Sequence, residues 1–168
     1  MRYLILLVIL FIGCTSTNIV VDDKLRGDNM KITSNAFNEG ERIPSKYTCQ
    51  GEDINPQLKW EDVPEGTLSF ALIFDDPDAP VGLWKHWLIK DIPADVREIL
   101  EDDTVGVEIE NSFGNIGYGG PCPPDGMHRY YFKLYALNVE KLDAKSMEEL
   151  YEKVEMHKIR EAAGFNPS

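Results

Sequence analysis

Residues Arg129 to Leu137 read Arg-Tyr-Tyr-Phe-Lys-Leu-Tyr-Ala-Leu. Tyr130, Phe132, Leu134 and Ala136 alternate there with Tyr131, Lys133, Tyr135 and Leu137. A period of two is that of a β-strand, whose successive side chains point to opposite faces. Ser69 to Phe74 is a short, nearly continuous apolar run, the mark of a strand buried on both faces. His86 to Ile92 is a further strand, and Lys31 to Phe37 and Val105 to Ser112 are weaker ones. Pro44, Pro56, Pro64, Gly66, Pro77, Pro80, Gly82 and the Gly117–Gly126 stretch punctuate the gaps. Short strands divided by such turns predict a mainly β chain folded as a sandwich.

The period changes near the C-terminal end. Met147, Leu150, Tyr151 and Val154 fall at i, i+3, i+4 and i+7, one stripe of a helix. Glu148, Glu149, Glu152 and Glu155 take the other face, which reads as solvated. Ser146 and Glu149 have capping-box spacing and mark the start. A second short helical segment is expected around His157 to Ala163, ending at Gly164.

The first residues are expected to lie outside the domain, the alternative being a buried N-terminal strand, which would rarely lack any alternation. Arg2 precedes an unbroken apolar run from Leu4 to Ile12. The run is too short to span a bilayer, which takes about 20 residues, and it fits the core of a secretory signal. It ends in Phe11-Ile12-Gly13-Cys14, similar to a bacterial lipoprotein cleavage box, which makes Cys14 the expected lipidated N-terminus. The expected organisation is a signal peptide over 1–13, a lipid-anchored tether over 14–29 and one domain over 30–168. The domain is then exported and held at the membrane by its lipid. Cys49 and Cys122 remain, an even pair that in an exported protein forms either a disulfide or two buried thiols. A net charge of −12 argues against nucleic acid as a partner, because phosphate backbones are bound by clustered Lys and Arg. A local anion site built from backbone N–H groups and histidines remains open.

Two loops are unusual for a plain sandwich. One is Asp75-Asp76-Pro77-Asp78-Ala79-Pro80, followed by Gly82, Trp84, His86 and Trp87. The other runs from Gly117 through Gly119-Gly120-Pro121-Cys122-Pro123-Pro124 to His128-Arg129-Tyr130. Each leads into a strand, and two of the three histidines lie at these junctions. Prolines fix the backbone direction, and Gly119 and Gly120 let a backbone approach a ligand. Histidines donate to anionic oxygens, and an aspartate beside one orients its ring. The sum is a small concave site for a phosphate or carboxylate, walled by Trp84 and a tyrosine. Each residue also has a plain structural reading: turn hydrogen bonds for Asp76 and Asp78, core packing for Trp84, His86, His128 and Tyr130. Arg129 points away from Tyr130 along the strand and is left out of the site. His157 reads as local helix structure.

Together these residues resemble the two signature regions of the phosphatidylethanolamine-binding protein family, in its prokaryotic Raf kinase inhibitor-like branch. Tyr47-Thr48-Cys49-Gln50-Gly51, Asn55-Pro56, Leu58 and Trp60 are similar to that branch as well. The resemblance covers roughly residues 30 to 165. It implies a Greek-key β-sandwich with C-terminal α-helices and an anion pocket made of Asp76, Trp84, His86, Gly120, Pro124, His128 and Tyr130, with Asp78 shaping the first loop. It implies non-enzymatic binding of a small anion or a phospholipid head group such as phosphorylethanolamine, with no cofactor and no metal. The alternative it carries is inhibition of an extracytoplasmic protease by protein contact. A Raf-type kinase does not suit an exported chain. Two catalytic readings compete more weakly. A zinc hydrolase using His86, His128 and Asp76 lacks a common zinc spacing, and a Cys122 nucleophile with His128 is disabled if Cys122 is bridged to Cys49.

Overall fold

Every residue of Ser69–Asp76 is buried, and the architecture follows from that strand's need for cover on two faces. The computed structural model describes residues 30–168. The expected signal segment 1–13, the lipidation site Cys14 and the tether 14–29 lie outside the described residues. In chain order the elements are β1 (Lys31–Thr33), a 3-10 turn (Ser45–Tyr47), β2 (Leu58–Glu61), β3 (Ser69–Asp76), β4 (Trp84–Pro93), β5 (Glu98–Ile99), β6 (Val107–Ile109), β7 (Arg129–Leu137), α1 (Met147–His157) and β8 (Lys158–Pro167). They form a five-stranded sheet in the order β6-β4-β3-β7-β8 and a three-stranded sheet in the order β1-β2-β5. All strand pairs are antiparallel.

Central β3 sends alternate side chains to two cores. Phe70, Leu72 and Phe74 join Trp87, Ile89, Phe132 and Leu134 against Leu58, Trp60 and Ile99 of the smaller sheet. Phe74 and Phe132 stack with ring centroids 4.0 Å apart. Ala71 and Ile73 face the other way, with Leu88, Tyr135 and Leu137, and Leu150 and Val154 of α1 cover them. Each large side chain so buried contributes about 1.5–3 kcal/mol relative to exposure. A strand covered on both sides has no polar face, which is why its sequence does not alternate.

Two strands are shorter than expected. The segment expected from Lys31 to Phe37 leaves the ladder after Thr33. Ser34 Oγ donates to Gln57 O at 2.6 Å and accepts from Ala36 N at 3.1 Å, so a side-chain turn replaces strand pairing. The segment expected from Val105 to Ser112 pairs only over Val107–Ile109. Gly106 enters it at φ +96°, and Asn111 closes a turn after it by accepting from Phe113 N and Asn115 N.

The helix starts where its cap predicts, with Ser146 Oγ accepting from Glu149 N at 3.3 Å. The reciprocal arm differs: the Glu149 carboxylate accepts from Lys145 N rather than from Ser146 N. The second helical segment expected at His157 to Ala163 is not formed. After His157 the chain becomes β8 and pairs with β7 from Arg129↔Pro167 to Leu137↔Lys158. The free edge of a central hydrophobic strand outweighs the helix preference of Glu161, Ala162 and Ala163. There is therefore one C-terminal helix, followed by a strand, rather than several helices.

Candidate functional site

Three strand ends meet at one end of the large sheet, among its interior strands. Asp76 ends β3 and pairs with Trp84, which begins β4. Tyr131, near the start of β7, pairs with Asp75. Period two puts His128 and Tyr130 on one face of the β7 entry. On β4 that period is broken on purpose. Phe74 pairs with Trp87 while the next residue, Asp75, pairs with Lys85, so His86 is the extra residue of a β-bulge. The bulge lets both His86 and Trp87 face the inter-sheet side. Trp87 enters the main core, and the His86 ring contacts Phe74 and Tyr130 at centroid distances of 5.3 Å each.

These residues enclose a cavity of about 310 Å³. Its floor is Asp76, His86, His128 and Tyr130, all buried. Its walls are Ala79, Pro80, Val81, Trp84, Phe113, Cys122 and Pro124. Phe113 stands edge-on to both Trp84, at 5.3 Å, and His86, at 5.2 Å.

The polar floor is tightly fixed. His128 Nδ1 donates to Asp76 Oδ2 at 2.8 Å. Asp76 Oδ1 accepts the Asp78 N–H at 2.8 Å, so one carboxylate holds the ring and the first loop together. His86 Nδ1 donates to the Gly119 carbonyl at 2.7 Å. A carbonyl only accepts, so the proton sits on Nδ1 and Nε2 is the ring's other nitrogen. Burial pushes the His86 pKa below its ordinary value, against the carbonyls of Gly119 and Gly120 and the carboxylates of Asp76 and Asp75, which favour the charged ring. The Tyr130 hydroxyl is buried and makes no well-formed hydrogen bond among the described residues, although the Asp76 carboxylate and the Cys122 backbone lie close enough to influence it. Burial and the nearby Asp76 carboxylate raise its pKa and keep it protonated. A buried hydroxyl that is poorly hydrogen-bonded is costly, and this one belongs to a residue lining the cavity.

Six of the eight sequence-selected residues line this cavity: Asp76, Trp84, His86, Pro124, His128 and Tyr130. Asp78 and Gly120 do not. Arg129 takes the Asp78 carboxylate through its own N–H at 2.9 Å, its Nε at 2.8 Å and its Nη2 at 2.5 Å. These hydrogen bonds from Arg129 lower the Asp78 pKa to about 2. Asp78 is thus a brace for the first loop, and Arg129, which does point away from the cavity, is its grip. Gly120 spends its N–H on Asp53 Oδ1 at 2.7 Å. A Cβ there would lie 2.5 Å from Asp53 Oδ1 and 2.5 Å from the Tyr47 carbonyl. Gly120 is required for close packing of two loops, not for presenting an amide to a ligand.

Cys49 and Cys122 are joined by a disulfide with Cα atoms 5.4 Å apart. Both residues are exposed. Cys122 therefore offers no thiol for nucleophilic attack. His157 sits on α1, where its Nδ1 meets Asn138 Oδ1 at 3.2 Å.

Sequence reasoning missed Phe113, Asn111 and Asp53. Asn111 Nδ2 donates to the His86 carbonyl at 3.3 Å and to the Gly117 carbonyl at 3.0 Å, tying the bulge to the second loop. The Asn-Ser-Phe-Gly-Asn run signals a turn, but nothing in it names the strand that the turn touches.

The family model for phosphatidylethanolamine-binding protein matches residues 33–164. A UPF0098 protein of Aquifex aeolicus is 54% identical over 124 residues, covering 69% of this chain and 72% of that one. A UPF0098 protein of Methanothermobacter thermautotrophicus is 44% identical over 142 residues, covering 79% and 94%. Among solved structures, a phosphatidylethanolamine-binding protein homologue from Chlamydia trachomatis superposes with a TM-score of 0.78 at 40% identity, covering 84% of this chain and 97% of its own. E. coli YbcL, described as a member of the mammalian family, superposes with a TM-score of 0.76 at 34% identity, covering 82% and 96%.

Proposed function

The chain belongs to the phosphatidylethanolamine-binding protein family, and from that premise we propose that it binds a small anion or a phospholipid head group in the cavity beneath Trp84, without catalysing a reaction on it. The observation that carries this reading is a cavity whose floor gathers Asp76, His86, His128 and Tyr130, the last with a hydroxyl that makes no well-formed hydrogen bond among the described residues. An anionic oxygen bound beside it would accept that O–H. His128 and His86, each tied down through Nδ1, have Nε2 left to meet the same ligand. Binding rather than turnover fits the way the groups are used. Both Asp76 oxygens already hold protein hydrogens, and the Cys122 sulfur is bridged.

We also propose that the domain works outside the cytoplasm, carried on a lipid at Cys14. The apolar run before Cys14 supports this, and so does a disulfide between two exposed cysteines, which persists in oxidising compartments. Replacing Cys14 with Ser should leave an exported chain that no longer fractionates with membranes.

The deciding experiment for the binding reading is an NMR titration of the full chain with inorganic phosphate and with phosphorylethanolamine, following the histidine rings. Saturable shifts at His86 and His128, with His157 unmoved, are expected. Three unmoved rings with both anions would remove the anion reading.

A further inference from the structure

The cavity floor is held in two halves by two kinds of chemistry. Charged groups hold one half: Asp76 takes the His128 ring, and Asp78 takes Arg129. Neutral groups hold the other. The His86 ring donates through Nδ1 to the Gly119 carbonyl at 2.7 Å, and the Gly119 N–H donates to the His86 carbonyl at 3.0 Å. The bulge of β4 and the second loop thus grip each other twice at one residue.

Asn111 stands behind this grip, 2% exposed. Its amide has four partners. Nδ2 donates to the His86 carbonyl at 3.3 Å and to the Gly117 carbonyl at 3.0 Å. Oδ1 accepts from Phe113 N at 2.9 Å and from Asn115 N at 3.2 Å. Two carbonyls on one side and two N–H groups on the other leave the amide a single orientation. A carboxylate of the same shape could not donate to the carbonyls, and an aliphatic side chain would serve neither pair.

Two cavity groups depend on that amide. One is His86, the extra residue of the bulge, where the strand ladder is locally disrupted and supports the backbone least. The other is Phe113, whose ring stands edge-on to His86 at 5.2 Å and to Trp84 at 5.3 Å. Gly119 leaves room for that ring: a Cβ there would lie 2.9 Å from two of its carbons. Asn111 itself does not line the cavity.

Resting on the anion-binding reading, we propose that Asn111 is the positioning residue for the His86 half of the cavity: it fixes the His86 ring and the Phe113 wall, and through them sets ligand affinity without touching the ligand. The Asp76–His128 half has its own supports, so the two halves respond separately to substitution.

The test compares Asn111→Asp and Asn111→Ala with the wild-type full chain. Asn111→Asp keeps the shape and turns a carboxylate toward two carbonyls; Asn111→Ala removes the amide without that repulsion and serves if the first variant does not fold. Ser69→Ala is the control, since it deletes a buried 2.6 Å hydrogen bond to the Val139 carbonyl at the opposite end of β3. Ring nitrogen spectra of the unliganded proteins should move at His86 and stay in place at His128 in the Asn111 variants, and neither ring should move in the control. Calorimetry with inorganic phosphate and with phosphorylethanolamine should show affinity reduced about tenfold in the Asn111 variants, and unchanged in Ser69→Ala. Unmoved His86 signals in a folded Asn111 variant would overturn the proposal. So would an affinity loss no larger than that of the control, or equal movement of both rings. If the wild type binds neither anion, the anion reading falls on its own, and the ring spectra still decide whether Asn111 positions His86.

Discussion

Asp76 and His128 lie 52 residues apart in sequence and meet through a 2.8 Å hydrogen bond, buried where β3 ends and β7 begins. The bond sets which ring nitrogen carries the proton and which way the imidazole faces. Asp76→Asn keeps the shape and removes the charge that makes Nδ1 the donor. Calorimetry should show anion affinity reduced tenfold or more, since hydrogen bonds to charged groups are worth about 1.5–3 kcal/mol. His128→Ala should cost a similar amount. Unchanged affinity in both variants would detach this pair from the ligand.

Tyr130→Phe separates binding from stability. The hydroxyl makes no well-formed hydrogen bond among the described residues, so removing it should leave the thermal midpoint unchanged or slightly raised. Anion affinity should fall about fivefold to tenfold. A destabilised Phe variant would mean that the hydroxyl serves the fold.

The pH dependence has a definite sign. Burial lowers the His86 pKa below the ordinary 6.5. The unfolded chain therefore takes up a proton before the folded chain does. Stability from this residue is complete above about pH 6.5 and is lost as pH falls through that value toward the depressed one. Thermal unfolding should show a lower midpoint at pH 5 than at pH 7.5, with part of the difference removed in His86→Gln. A bound anion favours the charged ring, so anion affinity should move the opposite way and strengthen in acid. Binding that is flat from pH 5 to 8 would assign the anion to neutral donors.

The Cys49–Cys122 bridge spans 73 residues and joins the turn after Tyr47 to the loop that supplies a cavity wall. The backbone repeats the link, with Cys49 N donating to the Pro121 carbonyl at 3.1 Å. Cys49→Ser with Cys122→Ser should cost about 2–4 kcal/mol of stability. Denaturant titration measures that loss, and the same double variant should bind anions more weakly because its wall is less fixed. An unaltered unfolding midpoint would show that the backbone link is enough.

The scaffold was largely readable from sequence, for reasons that differ by element. β7 announced itself by alternation because its two faces differ in character. β3 announced itself by the absence of alternation because both faces are covered. The cap at Ser146 located α1 because capping is local chemistry. What resisted reading depends on contacts far along the chain. β8 is a strand only because β7 offers an edge. The bulge that turns His86 inward exists only relative to the register of β3. Asp78 and Gly120 were recognised as special, but their partners, Arg129 and Asp53, decide their roles, and neither partner is marked by a local pattern.

The placement of the site across β3, β4 and β7 also fixes when it comes into being during folding. β3 and β4 are neighbours in the chain, so a hairpin can close early at a small loss of chain entropy. Asp76 and His86 are then in place, but the cavity still lacks His128 and Tyr130 until β7 docks beside β3 across a long excursion. Long-range pairings of this kind form late. The ligand consequently has no template to offer a nascent hairpin. It recognises only the finished sheet and, by mass action, stabilises only that. Occupancy of the site is thus a readout of completed folding, and a fragment that stops before β7 should carry none of it.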